Sequence, residues 1–237
     1  MNFAYRPFKW SNSAANDAGV WCTIIGLETQ EKSIKHLFLN DQVKRCDNIA
    51  PYLIPGPNII CKPRRTPISE LSHMKMGSNP VDGRRLILSS DEANNILKQY
   101  QDASKFIHKY GGTDELVSGK LRYCLWINDN QTEEAKNIQP LKDIIRNCKI
   151  YREGAGRDAR KAAKRPHAFC YSTFENKDFI QIGNTIGNAF SYVPADLKKA
   201  GFVSNHASFT IYGVNLKDFS IIISSCTGYG QKQLQED

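Results

Sequence analysis

Apolar positions in this chain fall in short runs separated by turn-forming residues. Val20, Trp21, Cys22, Thr23, Ile24 and Ile25 make a continuous, partly β-branched run, and Asn12 to Gly19 supplies turn chemistry before it. Residues 8–27 therefore predict a hairpin. A continuous apolar run predicts a strand buried on both faces. Nothing before it in the sequence is long enough to cover it, so the chain reads as part of something larger. Further along, Ile49 to Leu53 predicts an extended or turn element, and Pro51, Pro55, Pro57, Pro63 and Pro67 make the following stretch loop-rich. Ser90-Asp91-Glu92 predicts the start of a helix with Ala93, Ile96, Leu97 and Tyr100 as its apolar stripe. Asp102 to Tyr110 predicts a second short helix ended by Gly111-Gly112. Tyr123, Leu125 and Ile127 alternate, predicting a strand over 121–127, and Thr132 to Ile150 predicts a helix interrupted near Pro140.

Beyond Ala168 the pattern turns to β. Phe169–Thr173, Phe179–Ile182, Ser191–Val193, Ser208–Tyr212 and Phe219–Ser224 are short β-rich runs between Asn, Gly and Asp turns. The fold class predicted is α+β. Trp10, Trp21 and Trp126 read as core residues before base-stacking platforms.

Composition narrows the picture. The chain has 237 residues, 41% hydrophobic and 10% aromatic, enough for one large or two small domains with a core. No apolar stretch reaches the roughly 18 residues of a membrane helix, and the polar start lacks a signal-peptide core. The seven cysteines show no zinc spacing and read as reduced, mostly buried thiols, which places the chain in the cytoplasm. The histidines, His36, His73, His108, His167 and His206, show no ligand spacing, so no metal site is expected. No Ser-His-Asp or Cys-His arrangement is legible, and no catalytic residue is assigned.

The net charge of +8 is unevenly placed. Between Lys142 and Arg165 nine basic residues stand against three acids, Asp143, Glu153 and Asp158. The Ala-rich segment Arg157 to Lys164 predicts a helix ending before Pro166. At helical spacing Arg157, Lys161 and Lys164 share a face with Arg160 beside them, so several cations can meet one strand of phosphates. Arg152, Arg157, Arg160, Lys161, Lys164 and Arg165 are the candidate phosphate contacts. A solvated charged face is the plainer alternative.

Particular segments add a family resemblance. FKWSNSAANDAGVWCTIIGL, residues 8–27, resembles a Phe-x-Trp-Ser-Asn-x-Ala…Ala-x-Val-x-x-x-Ile-Ile-Gly-Phe segment late in the methyltransferase domain of the MmeI-like adenine-specific DNA methyltransferases, the type IIG and IIL restriction-modification enzymes. The likeness continues in order through Ile49-Ala50-Pro51-Tyr52-Leu53, Met76 to Gly83, Leu86-Ile87-Leu88, Asp91-Glu92, Arg122 to Trp126, Tyr192-Val193-Pro194 and the run from Phe219. It implies three parts: the edge hairpin of a methyltransferase sheet over residues 1–30, a mixed helical and loop connector over 31–150, and a small β-rich target-recognition domain with a basic helix over 151–237. The implied partner is double-stranded DNA, together with the missing methyltransferase half of a split enzyme, and no membrane.

The chemistry of that family is not carried here. Its enzymes have a Gly-containing loop that holds S-adenosylmethionine and an Asn-Pro-Pro-Tyr/Phe loop that receives a flipped adenine, both upstream of the hairpin. Neither occurs in this sequence. Gly154-Ala155-Gly156, Gly111-Gly112 and Asn79-Pro80 read as ordinary turns, since none is predicted to join an apolar strand to a helix. The chain alone is expected to bind no cofactor and to be inactive, S-adenosylmethionine belonging to the parent enzyme. A stand-alone nucleic-acid-binding or interaction protein, or an inactive remnant of a truncated gene, is the alternative.

Base reading is expected in the turn-rich piece 182–194. The family has a Ser-Ser-Glu-Arg-Arg-x-Tyr-Ile-Pro-like segment there, whose Glu and following Arg positions approach base edges. Counted back from Tyr192-Val193-Pro194, those positions are Asn188 and Phe190. Asn pairs bidentately with adenine in the major groove, whereas Phe contacts only a thymine methyl. Asn184, Asn188, Phe190 and Ser191 are the base-reading candidates; a turn with Phe190 in the core is the alternative. The polar tail CTGYGQKQLQED departs from the family, fitting a frameshifted gene and a frayed terminus equally.

Overall fold

The computed structural model describes residues 1–10, 20–29, 34–39, 41–60, 62, 66, 70–185 and 193–224. These form two compact units, residues 1–64 and 65–237.

In the first unit, β1 (Phe3–Lys9), β2 (Trp21–Gly26), β3 (Lys35–Leu39) and β4 (Gln42–Cys46) make one sheet in the order β2-β1-β3-β4. The predicted hairpin is the antiparallel β1/β2 pair, though the turn read over 12–19 lies outside the described residues. The sheet is wider than a two-strand edge, because β3 adds in parallel to β1 and β4 folds back on β3. Ala4, Leu37, Ile49 and Leu53 form its core. Leu53 turns the chain at a left-handed φ of 58°, donating its N–H to the Ala50 carbonyl at 2.9 Å. Strand β2 departs from expectation: it is an edge strand, with Trp21 57% and Ile24 and Ile25 46% exposed. Trp10 is half exposed as well, so of the three tryptophans only Trp126 packs against a core. An apolar run shows that a strand favours burial, not that a covering layer is present.

The second unit runs β5 (Lys75–Met76), β6 (Ile87–Leu88), α1 (Ser90–Gln99), β7 (Ile107–Gly111), α2 (Thr113–Ser118), β8 (Arg122–Leu125), α3 (Thr132–Lys136), α4 (Gln139–Gly154), α5 (Arg157–Ala162), β9 (Phe179–Gly183), β10 (Ala195–Lys198), β11 (Phe202–Ser204), β12 (Ser208–Tyr212) and α6 (Leu216–Ser224). Two four-stranded sheets result, β10-β9-β12-β5 and β11-β7-β8-β6. The architecture is mixed α and β with several small sheets, as the α+β reading requires. Both sheets cross residue 150: β5 pairs with β12, and β7 pairs in parallel with β11. The division expected there is therefore replaced by one compact unit, because strand pairing joins segments about a hundred residues apart.

Tertiary pairing overrode local propensity in some segments and left it intact in others. Helix α1 forms as predicted, and its cap is Ser89, one residue before the predicted start. Ser89 Oγ accepts from the Glu92 N–H at 3.2 Å while the Glu92 carboxylate accepts from Ser89 N–H at 2.8 Å. Its stripe packs on a core built from Leu86, Phe106, Leu125, Leu141 and Val203. The interruption near Pro140 is the α3/α4 junction, with Pro140 in the first turn of α4, where its missing N–H costs nothing. The helix read over 102–110 is instead a short 3-10 turn, Gln101–Lys105, followed by strand β7. The partners β8 and β11 satisfy both edges of β7, which local propensity cannot anticipate.

Phe169–Thr173 makes only an isolated bridge, Tyr171 to Asn79. Most of the run read over 191–193 lies outside the described residues, and strand β10 follows it. The run 219–224 is helical rather than extended. Asn215 Oδ1 accepts from the Lys217 and Asp218 N–H groups, and Asp218 accepts from Asn215 N–H at 2.9 Å. Phe219 and Ile222, one helical turn apart, then pack with Ile180 and Ile211.

Candidate nucleic-acid interface

The basic segment folds into two successive helices. In α4 the apolar positions Leu141, Ile145 and Cys148 are buried, which leaves Lys142, Arg146, Lys149 and Glu153 along another face at i, i+4, i+7 and i+11. Helix α5 follows after Ala155 and Gly156. A cleft of about 840 Å³ is lined by Lys142, Ile145, Arg146, Lys149 and Glu153 of α4, by Lys136 of α3, and by Arg160, Ala163, Lys164 and Pro166. Six cations and one carboxylate share that lining. Several are lightly held: Arg146 reaches Asp143 at 2.8 Å, Lys149 reaches Glu153 at 3.8 Å, and Arg160 donates to the Ala155 carbonyl at 2.8 Å. Lys142 and Lys164 make no ion pair among the described residues. Lys136 pairs with Glu133 at 2.7 Å, so three of the six cations have an acidic partner on the surface, where such pairs are weak and a polyanion can compete for them.

The expected phosphate contacts divide on this geometry. Arg160 and Lys164 line the cleft; Arg157 and Lys161 lie exposed on α5 outside that lining, Arg157 3.4 Å from Asp158. Arg165 is forked onto Asp129, with N···O distances of 2.8–2.9 Å, and His167 Nε2 lies 2.7 Å from the same carboxylate. Those bonds, Arg165 first, hold the Asp129 carboxyl below its usual range.

Arg152 leaves the set altogether. Its side chain is fully buried, and its guanidinium donates to the carbonyls of Pro80, Val81, Ala162, Arg165 and Ala168 at 2.5–3.2 Å. Ala162 is the last residue of α5 and Arg165 lies in the turn after it; their carbonyls also accept the N–H groups of Arg165 and Ala168, so the guanidinium adds a second donor to each. Arg152 thus fixes α5 to α4 and to the 80–81 loop, and no phosphate can reach it. Lys136, Lys142, Arg146 and Lys149 were not among the candidates chosen from sequence. The i, i+4, i+7 spacing of the last three was the signal for them.

A second groove, of about 1350 Å³, is lined by Arg84, Ser90, Thr113, Asp114, Lys120, Arg122, Asn184, Thr185 and their neighbours. Of the base-reading candidates only Asn184 lies among the described residues; Asn188, Phe190 and Ser191 lie outside them. Asn184 Nδ2 donates to the His206 carbonyl at 3.3 Å, and its Oδ1 accepts from Thr185 Oγ1 at 3.1 Å, so the amide is partly engaged in its own turn.

Gly111-Gly112, read as a plain turn, does join strand β7 to helix α2. Its N–H at Gly112 is taken by the Glu115 carboxylate at 2.7 Å, and a Cβ there would meet the Asn205 side chain. A six-residue helix start closed in this way has no room for a phosphate group. Gly154-Ala155-Gly156 joins two helices, and Asn79-Pro80 lies in a loop. Among the described residues no group of His, Cys, Asp and Glu is placed to hold a metal ion, and no helix is long and apolar enough to cross a membrane.

Comparison with known proteins gives this geometry its context. Residues 1–39 match the family described as MmeI, DNA-methyltransferase domain. DNA methyltransferase A of Bacillus subtilis (strain 168) is 31% identical over 228 residues, covering 94% of this chain and 26% of that protein. The solved structure of the type IIL restriction-modification enzyme MmeI in complex with DNA superposes with a TM-score of 0.81 at 25% identity, over 93% of this chain and 30% of that one. The chain therefore spans about a quarter to a third of the relatives it matches. Residues 55–227 match the family described as MmeI, target recognition domain, and the chain belongs to that family.

Proposed function

We propose that this chain is the DNA-binding target-recognition part of a site-specific, S-adenosylmethionine-dependent adenine DNA methyltransferase or restriction-modification enzyme. The observation that carries the reading is the cleft between α4 and α5, where six cations face one carboxylate. The cations of such a surface displace counterions condensed on the phosphates of a duplex, and that release drives binding. The likeness to a protein solved in complex with DNA supports the same partner. Contacts in the cleft set affinity and register, while sequence is read elsewhere. Asn184 and the segment after it are the proposed reading positions.

Methyl transfer to the exocyclic amino group of adenine requires a flipped base and a bound cofactor. In this reading both are handled by a methyltransferase portion outside this chain, in the cytoplasm. The half-exposed apolar strand β2 supports a partner of that kind, since Trp21, Ile24 and Ile25 favour a covering layer.

Salt dependence tests the proposal. Lys142→Ala and Lys164→Ala each remove a cation with no ion pair among the described residues. Each should lower the slope of log affinity against log salt for duplex DNA by about 0.9. Unchanged slopes in both variants and in the pair would return the cleft to the status of a solvated charged face.

A further inference from the structure

The loop that follows β5 holds an unusual backbone. Val81 and Arg84 adopt left-handed φ angles of 49° and 66°, as does Gly83 at 60°. A left-handed conformation is uncommon for any residue but glycine and a genuine outlier for a β-branched one such as Val81. The surroundings over-determine this path. Asn79 Oδ1 accepts from Val81 N–H at 3.2 Å, the buried Asp82 carboxylate accepts from the N–H groups of Arg84 and Leu86, and Arg152 grips the Pro80 and Val81 carbonyls from beneath. Strain held in place by so many fixed contacts commonly marks a functional position.

The two arginines at the end of the loop have different fates. Arg85 folds back, its guanidinium 5.4 Å from the centre of the Tyr151 ring and its Nη1 2.9 Å from the Gly83 carbonyl. Arg84 is exposed, makes no side-chain hydrogen bond or ion pair among the described residues, and lines the same groove as Asn184 and Thr185. That groove is charge-balanced. Arg84, Lys120 and Arg122 stand beside Glu92, Asp114 and Glu115, and Arg122 already pairs with Glu115 at 2.7 Å. A balanced lining is a poor phosphate track, whereas a single unpaired planar fork on a rigid loop matches the O6 and N7 acceptors of guanine.

We propose that Arg84, held out by the strained 79–86 loop, is a base-reading residue that contacts guanine in the major groove of the bound duplex. This rests on the reading of the chain as a DNA-binding module and adds a reading position outside the 182–194 segment.

Selection from a randomised duplex pool at low salt, using the full 237-residue chain, tests it. The unmodified chain should enrich a G·C pair at one position. Arg84→Gly relieves the left-handed strain while removing the side chain, so it should fold with an unchanged or higher unfolding midpoint. It should lose discrimination at that one pair by roughly 5- to 150-fold, the range for a bidentate contact. Arg84→Lys keeps the charge without the planar fork and should retain a weaker preference for the same pair. Uniform weakening of every sequence by Arg84→Gly, with a lower salt slope, would make Arg84 a phosphate contact and overturn the proposal. So would an unchanged enriched pool. If the unmodified chain retains no duplex at all, the DNA-binding reading itself fails; retention without a G·C preference sensitive to Arg84 defeats only this inference.

Discussion

Arg152 shows how far a single charge can depart from its sequence context. In the sequence it is one of nine cations in a basic run; in the fold it satisfies five main-chain carbonyls and is wholly buried. No other side chain presents donors in that planar arrangement. Arg152→Met would leave several buried carbonyls without partners, and equilibrium denaturant unfolding should report a loss on the order of 3–5 kcal/mol. Arg152→Lys should recover only a fraction, since three donors cannot reach five acceptors. A change within about 0.5 kcal/mol in either variant would contradict this arrangement. Tryptophan identity was no better a guide to position: Trp126 packs 4.9 Å from the Phe169 ring, whereas Trp10 and Trp21 are more than half exposed.

Among the secondary-structure elements, those with strong local signals formed where they were read. Helix α1 is the clearest case, with a Ser89–Glu92 capping box and an apolar stripe agreeing with one another. The hydrogen bonds from Ser89 N–H and Oγ lower the pKa of Glu92. A carboxyl whose folded pKa lies below its unfolded value stabilises the fold above the unfolded value and loses that contribution as pH falls through the folded one. Ser89→Ala should therefore cost about 1 kcal/mol at neutral pH. The gap from the parent chain should narrow as the pH drops below the ordinary glutamate range, measured by thermal unfolding across pH. A gap independent of pH would assign the stabilisation to the bond that Ser89 Oγ accepts from Glu92 N–H rather than to the one it donates to the Glu92 carboxylate. Helix α6 and strand β7 went the other way. Both sequences have ambiguous propensity, and caps, strand partners and packing surfaces decided them.

At the level of the whole molecule, the chain combines a target recognition domain with a short stretch matching a methyltransferase domain. The sequence contains no Asn-Pro-Pro-Tyr/Phe loop, and the strand-to-helix turn at Gly111-Gly112 is closed by Glu115 and Asn205. Titration calorimetry with S-adenosylmethionine should accordingly show no saturable one-to-one binding to this chain. A stoichiometric isotherm would place a cofactor site in it and displace the proposed division of labour.

The sequence by itself determined the family, through ordered motifs from the N-terminal hairpin to the run at Phe219, and the presence of a concentrated positive charge. It also determined elements whose signals are local, such as α1, the break at Pro140 and α5, because caps, proline and helical spacing act within a few residues. Tertiary structure decided the rest. It fused the two expected domains across residue 150, since β5 with β12 and β7 with β11 exchange hydrogen bonds that no local window contains. It drew Arg152 inward and faced the α4 cations toward Arg160 and Lys164, because a side chain's charge sets its preference for water while the packing of its helix sets its direction.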